Sequence, residues 1–305
     1  MIKRNAIHLF SEPAREESLN AALRNDFALT SAEIERLRDR ARFIRLETIR
    51  LIEIAKVGHY SSVFSAAETF AALYYDVMRL NADPKWPDRD RFLMGKGHAA
   101  VGLFPILADL GYLDVETLSG YTRLGNPLGD HPDMRKVPGV DFSSGSIGHA
   151  LSNGCGMALG GRMQGRDFTT FVMLGDGEMQ EGQVWEAALL AAHHKLSRVV
   201  AIIDRNGFQL DGSVDDVIGI EPLDDKWRAF GWEVHVVDGH DIAALTALLR
   251  AVRADTERKK PCCIIAKTLK GKGVSYMETE PGWHLGYLDP SDAELARAEI
   301  MSKVI

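Results

Sequence analysis

The sequence predicts an α/β fold: a doubly wound, mostly parallel sheet flanked by helices. Three observations carry this. Four short apolar runs, at 168–174, 199–203, 234–237 and 262–266, have strand length and composition. Every gap between them is long enough for a helix, and 178–194 and 242–254 are helical in composition. No internal repeat or low-complexity segment competes with that pattern. Strands alternating with helices make βαβ units and a parallel sheet.

The elements follow in chain order. Residues 1–30 lack clear periodicity and are expected to be an extension. Ser31 is placed to cap a helix through 31–57, with Ile34, Leu37, Ala41, Ile44 and Thr48 at helical spacing. Further helices are expected over 65–78 and 98–110, separated by the polar, proline-bearing loop of 80–90. The strand–helix alternation completes a domain of 31–290, and 291–305 reads as a short helical tail.

Bulk properties exclude several classes. The 305 residues suffice for a substantial core. With 46% hydrophobic and 26% charged residues the chain is an ordinary globular one. A net charge of −7 argues against nucleic acid or an acidic membrane as partner. No apolar stretch approaches the roughly 20 residues needed to span a bilayer, and the N-terminus does not read as a secretory signal. Cys262 and Cys263 are strand neighbours that point to opposite faces, so they are not a natural disulfide. Three thiols with no CxxC fit a cytoplasmic protein without structural zinc.

The sharpest motif is Gly175-Asp176-Gly177, with Asn206 lying 30 positions after Asp176. Asp176 ends one apolar run and Asn206 follows the next, so one crossover puts both at the carboxyl edge, where open α/β sheets bind ligands. Glycines beside the acid allow close approach of backbone and ligand. An Asp oxygen, an Asn oxygen and a nearby carbonyl form a hard donor set suited to Mg²⁺, with Ca²⁺ or Mn²⁺ as substitutes, rather than zinc. The pattern reads as a metal-bridged diphosphate clamp. Taken singly, each motif would be a plain turn; their spacing is what argues otherwise.

That spacing resembles the thiamine diphosphate signature. The resemblance implies that Asp176, Asn206 and the Phe208 carbonyl hold the metal, and that the fold is the pyrophosphate-binding domain of that class. Other stretches are similar to transketolase in particular: Val57-Gly58-His59, the run from Asp90 to Ala99 ending in Gly97-His98-Ala99, Gly129-Asp130-His131-Pro132, Val137-Pro138-Gly139-Val140, Ser144-Gly145-Ser146-Ile147-Gly148, and Lys267-Thr268 through Trp283-His284. They occur in order from about 40 to about 290. By this resemblance Gly145, Ser146, Ile147, Gly148, Gly175, Gly177, His98 and His284 contact the cofactor. Two departures stand near the site. The loop continues Gly148-His149-Ala150 where the family has Gly-Gln-Gly, and Tyr60-Ser61-Ser62 replace prolines or glycines.

A lone histidine is usually structural or solvated, but His59, His98, His131 and His284 lie in loop-like segments matching family positions. An imidazole titrating near neutrality can take the hydroxyl proton a ketose donor loses as its carbon–carbon bond breaks. His59 and His284 are assigned to proton transfer or oxyanion support, and His98 and His131 to cofactor and donor contacts. Glu181 would ordinarily favour a helix N-terminus; its family offset implies an interface acid communicating with a partner's glutamate. His193 and His194, adjacent on one helix, are surface or packing residues. Gly154-Cys155-Gly156 mimics a dinucleotide fingerprint, but Leu159 stands where Gly or Ala is wanted and the preceding residues make a poor strand. It reads instead as a tightly packed helix.

The resemblance also implies a second, pyrimidine-binding domain carrying a catalytic glutamate, and no second βα array follows the His284 segment. The expectation is a transferase working with a separate transketolase C-terminal chain as an α₂β₂ assembly on sugar-phosphate substrates. The α subunit of a 2-oxo-acid dehydrogenase, and a non-catalytic binding subunit, are the alternatives; the first lacks the early runs seen here.

Overall fold

The computed structural model describes residues 26–210, 212–278 and 280–302. Most of the expected extension, residues 1–25, lies outside them, as does the end of the expected tail.

The first helix, α1 (Ser31–Ala55), is capped by Thr30 rather than Ser31. Thr30 Oγ1 accepts from the Glu33 amide at 3.3 Å while Glu33 accepts from the Thr30 amide at 2.7 Å, a reciprocal capping box. The helix stops at Lys56, whose φ of 66° is left-handed, and does not run to 57. The expected single helix over 65–78 is broken into α2 (Tyr60–Phe64), α3 (Ala67–Ala72) and a π turn at Leu73–Val77. Residues 60 to 74 are all buried there, so no polar stripe marked its start in the sequence. The expected helix over 98–110 opens as a 3₁₀ turn, Gly97–Ala99, and continues as α4 (Ala100–Asp109).

Five strands form one parallel sheet in the order β1-β2-β3-β7-β6: β1 (Arg91–Met94), β2 (Thr170–Gly175), β3 (Val199–Arg205), β6 (Glu233–Asp238) and β7 (Cys262–Lys267). A small antiparallel pair, β4 (Phe208–Gln209) and β5 (Gly212–Ser213), follows β3. The four apolar runs are all strands; β1 is an addition, as is the small pair. Helices α5 (Ala150–Met163), α6 (Gly182–His193), α7 (Val214–Ile218), α8 (Leu223–Ala229), α9 (Ile242–Ala254) and α10 (Pro290–Ser302) complete the chain.

The strands alternate between two cores, as their period of two requires. Phe171, Met173, Val200, Ile202, Cys262 and Ile264 face the core that α1, α4 and α9 close. Val172, Leu174, Ala201, Ile203, Cys263 and Ile265 face the core of α5, α6 and α8. Both sheet faces are therefore covered, which is the doubly wound arrangement. Cys262 and Cys263 point into opposite cores as free, buried thiols. The C-terminal helix α10 buries Ala293, Ala296 and Ile300 in the first core, so it is part of the domain and not a detached tail. No described helix is long and apolar enough to cross a membrane.

Candidate active site

A cleft of about 350 Å³ opens at the carboxyl ends of the parallel strands. Four of the five strands, β1, β2, β3 and β7, supply it with residues at or after their ends. After β2, Gly175, Asp176 and Gly177 line it; after β3, Asn206 and Phe208 do; Lys96 and His98 come from the segment after β1, and Lys270 from the segment after β7. This is where a parallel sheet splays its loops apart and binds ligands.

Asp176 and Asn206 face the same cleft. Asp176 is 1% exposed; its Oδ1 accepts from the Gly177 amide at 2.8 Å, and its Oδ2 from the Gly207 amide at 2.6 Å and from Arg205 at 3.1 Å. Gly207 has a φ of 87°, the left-handed conformation that turns its amide onto Asp176. Asn206 Oδ1 accepts from the Phe208 amide at 3.1 Å, which leaves its second lone pair. Burial, and then the neighbouring Asp204, push the Asp176 acid above its usual range, despite the two amides and Arg205. A buried carboxylate beside an amide oxygen is a fitting host for a hard divalent cation.

Two buried acids, Asp204 off the cleft wall and Glu178 on it, were not singled out from sequence. Asp204, at the end of β3, is fully buried and pairs with Lys96; it also accepts from Thr268 and, at 2.6 Å, from Ser65. Burial opposes its charge, but Lys96 and these hydroxyls outweigh that and hold its acid low. The pair ties the β1, β3 and β7 ends together and fixes the Lys96 ammonium at the cleft. Glu178 is also buried, and accepts from Gly148 at 2.7 Å and from Gly175 at 3.0 Å. A Cβ on Gly95 would lie 2.3 Å from its carboxylate, so that glycine makes room for it.

Four histidines gather over the cleft. The His59 ring lies 4.9 Å from His98, 5.3 Å from His284 and 6.5 Å from His131. His98 and His284 line the cleft and are 5.2 Å apart. The segments converge because Gly58 and Gly286 exchange two backbone hydrogen bonds at 3.0 Å, and Ser61 Oγ donates to the Trp283 carbonyl at 2.9 Å. His98 Nε2 is 3.0 Å from Ser62 Oγ. Burial, then Lys96, depresses the His98 imidazolium far below its usual pKa; burial, then Lys270, brings His284 down to about 4. Both rings are therefore neutral at physiological pH.

The remaining assignments separate. Ile147 and Glu181 line the cleft. His59 and His131 sit beside it, not on its wall, and His131 is exposed. Gly145, Ser146 and Gly148 also lie off the wall; Gly145 packs beside His131, and Gly148 is held by Glu178. His193 and His194 are exposed at the far end of α6. The residues of the dinucleotide-like motif lie inside α5, with Gly154 pressed on Val172 of β2, so no phosphate loop forms there.

A cleft at a strand-end edge, with a buried acid, an amide and two lysines, defines an α/β protein that binds an anionic, phosphorylated cofactor. Comparison with known proteins identifies the family. The model for "Transketolase, thiamine diphosphate binding domain" matches residues 37–301. One subunit of the apulose-4-phosphate transketolase of Phocaeicola vulgatus is 39% identical over 259 residues, covering 84% of this chain and 91% of its own. The 6-deoxy-6-sulfo-D-fructose transketolase subunit SqwG of a Clostridium species is 39% identical over 249 residues, covering 81% and 90%. The crystal structure of Pichia stipitis transketolase with sedoheptulose-7-phosphate superposes with a TM-score of 0.81 at 29% identity, covering 87% of this chain and 40% of that one. The chain belongs to the transketolase family, as its thiamine-diphosphate-binding N-terminal portion, and is thus of the transferase class. It spans nine-tenths of relatives named as single subunits and about two-fifths of the long transketolase.

Proposed function

We propose that this chain holds thiamine diphosphate and Mg²⁺ (Ca²⁺ or Mn²⁺ in its place) and joins a separate transketolase C-terminal subunit, as an α₂β₂ enzyme of the cytoplasm. That enzyme moves a two-carbon ketol unit from a ketose phosphate to an aldose phosphate. The observation that carries the reading is the convergence of Asp176, Asn206, Lys96, Lys270, His98 and His284 on one cleft. Asp176, Asn206 and the Phe208 carbonyl are the metal ligands, and Gly175, Gly177 and the lysines face the diphosphate.

When bound, thiamine diphosphate supplies the carbanion and electron sink that carbon–carbon cleavage needs. The chain's own residues orient and protonate. Lys96 and Lys270 offset phosphate charge. Neutral His284 and His98 donate or accept hydrogen bonds without placing charge in the cleft, and His59 stands above them to move a hydroxyl proton. Exposed Ile147, Leu210 and Ile218 support a partner at the cleft mouth: the first two line it, and the Ile218 carbonyl accepts from the cleft residue Gln180 at 2.9 Å. Glu181 is exposed there as the partner-facing acid. The relatives named as subunits support a second chain, and their transketolase names favour ketol transfer over 2-oxo-acid oxidation.

The test is reconstitution. The chain alone should show no ketol transfer, and adding a transketolase C-terminal subunit with thiamine diphosphate and Mg²⁺ should restore it. Turnover by the chain alone, or with a 2-oxo acid in place of the ketose, would overturn the reading.

A further inference from the structure

We propose that Asp130 is a positioning residue: its carboxylate faces Nδ1 of both His59 and His131 and fixes the tautomer that leaves Nε2 of His59 as the proton acceptor. This rests on the ketol-transfer reading only for what His59 then does. Oδ1 of Asp130 is 3.5 Å from His59 Nδ1, and Oδ2 is 3.3 Å from His131 Nδ1. One carboxylate thus addresses two imidazoles with different oxygens.

The His59 side supplies a second observation. Its Nδ1 is buried with no hydrogen-bond partner, and an unpaired buried ring nitrogen is costly. Among the described residues the acid paired with it is Asp130. A separation of 3.5 Å is longer than a good hydrogen bond; bonds among catalytic groups are commonly long before substrate binds and tighten in the complex. Tyr121 Oη donates to the same Asp130 Oδ1 at 3.5 Å. Histidines 59 and 131 also hold the Asp130 acid below its usual range, against the push of burial.

A neutral imidazole has one N–H and one lone pair. With Nδ1–H directed at the carboxylate, the lone pair stands at Nε2. The rings of His98, His131 and His284 and the Asp130 carboxylate are the titratable groups around His59. Among the described residues the acid paired with His59 is Asp130, so its carboxylate selects which nitrogen keeps the proton.

The experiment uses ¹⁵N-histidine-labelled chain assembled with its C-terminal subunit, wild type and Asp130→Asn. Long-range ¹⁵N–¹H correlation should show the His59 proton on Nδ1 in the wild type and its transfer towards Nε2 in the variant. Turnover should fall about a hundredfold, the low end of the range for positioned proton transfer, while thiamine diphosphate affinity stays unchanged and Asp130→Glu recovers part of the rate. If Asp130→Asn does not fold, Asp130→Ser is read the same way. An unchanged tautomer, or an unchanged kcat in the folded variant, overturns the proposal. Absence of ketol transfer in the wild-type pair would instead reject the functional reading, with the tautomer still measured.

Discussion

Glu178 joins two loops through one carboxylate. Burial pushes its acid up to about 7, against the pull of the Gly148 and Gly175 amides and of Lys96. Gln at this position would have to turn an N–H towards one of two backbone N–H groups. Glu178→Gln should therefore lose one charge-assisted bond, worth about 1.5–3 kcal/mol, and weaken thiamine diphosphate binding roughly tenfold, the low end of that range; calorimetry giving an unchanged Kd would sink the idea. His284 makes a pH prediction. Its folded pKa is depressed to about 4, from an ordinary value of 6.5. A depressed group contributes fully above its unfolded pKa and loses that contribution as pH falls through the folded one. Relative to wild type, His284→Gln should thus gain stability between pH 6.5 and 4, read as a smaller drop in Tm on acidification. Asp176 and Asn206 were legible in sequence because turn chemistry and strand spacing are local. Glu178, Asp204 and the role of Asp130 were not, because each also has a partner, Gly148, Ser65 or His59, from a segment 30 to 139 positions away, and an acid in a motif does not reveal which amide or ring it will meet.

At the scale of elements, α5 separates packing from propensity. A Cβ on Gly154 would come within 2.7 Å of Val172 in the sheet, whereas one on Gly156 meets nothing within 4 Å. The same substitution should therefore have opposite signs two residues apart. Gly156→Ala should stabilise by roughly 0.5–1 kcal/mol through helix propensity, and Gly154→Ala should destabilise by about 1–2 kcal/mol through overpacking. Thermal unfolding of the two variants decides it, and a stabilised Gly154→Ala would show that the sheet yields. Sequence spacing found this helix because small residues at every few positions mark a close approach. It missed β1, whose four residues begin with Arg91 and are too few to show a period. It also merged α2, α3 and the π turn, since an element buried on all sides has no polar face to mark its phase.

The whole molecule ties cofactor binding to stability, because the cleft is made from the ends of strands that also build both cores. Arg45 of α1 bonds Glu68 of α3 at 2.7 Å, and Glu68 in turn holds His240 at 3.0 Å. His240 Nε2 accepts from the Leu269 amide at 2.8 Å, next to Lys270 in the cleft. The fold class was legible from strand–helix alternation, but this network was not, since it joins side chains up to 172 positions apart. A ligand bound only by the folded state stabilises by RT ln(1 + [L]/Kd), about 2.7 kcal/mol at a hundredfold excess over Kd. For a chain of 305 residues that raises Tm by roughly 4 °C. The chain assembled with its C-terminal subunit should show that shift with thiamine diphosphate and Mg²⁺ together. Either alone should give little, because the diphosphate and the cation complete each other's charge between Asp176 and Lys96. Asp176→Asn should abolish the shift and also lower the unliganded Tm, since the new amide NH₂ would face an N–H donor, Gly177 on one side or Gly207 and Arg205 on the other, and the ion pair with Arg205 is lost. A full shift in Asp176→Asn would remove the acid from the clamp and move the metal elsewhere in the cleft.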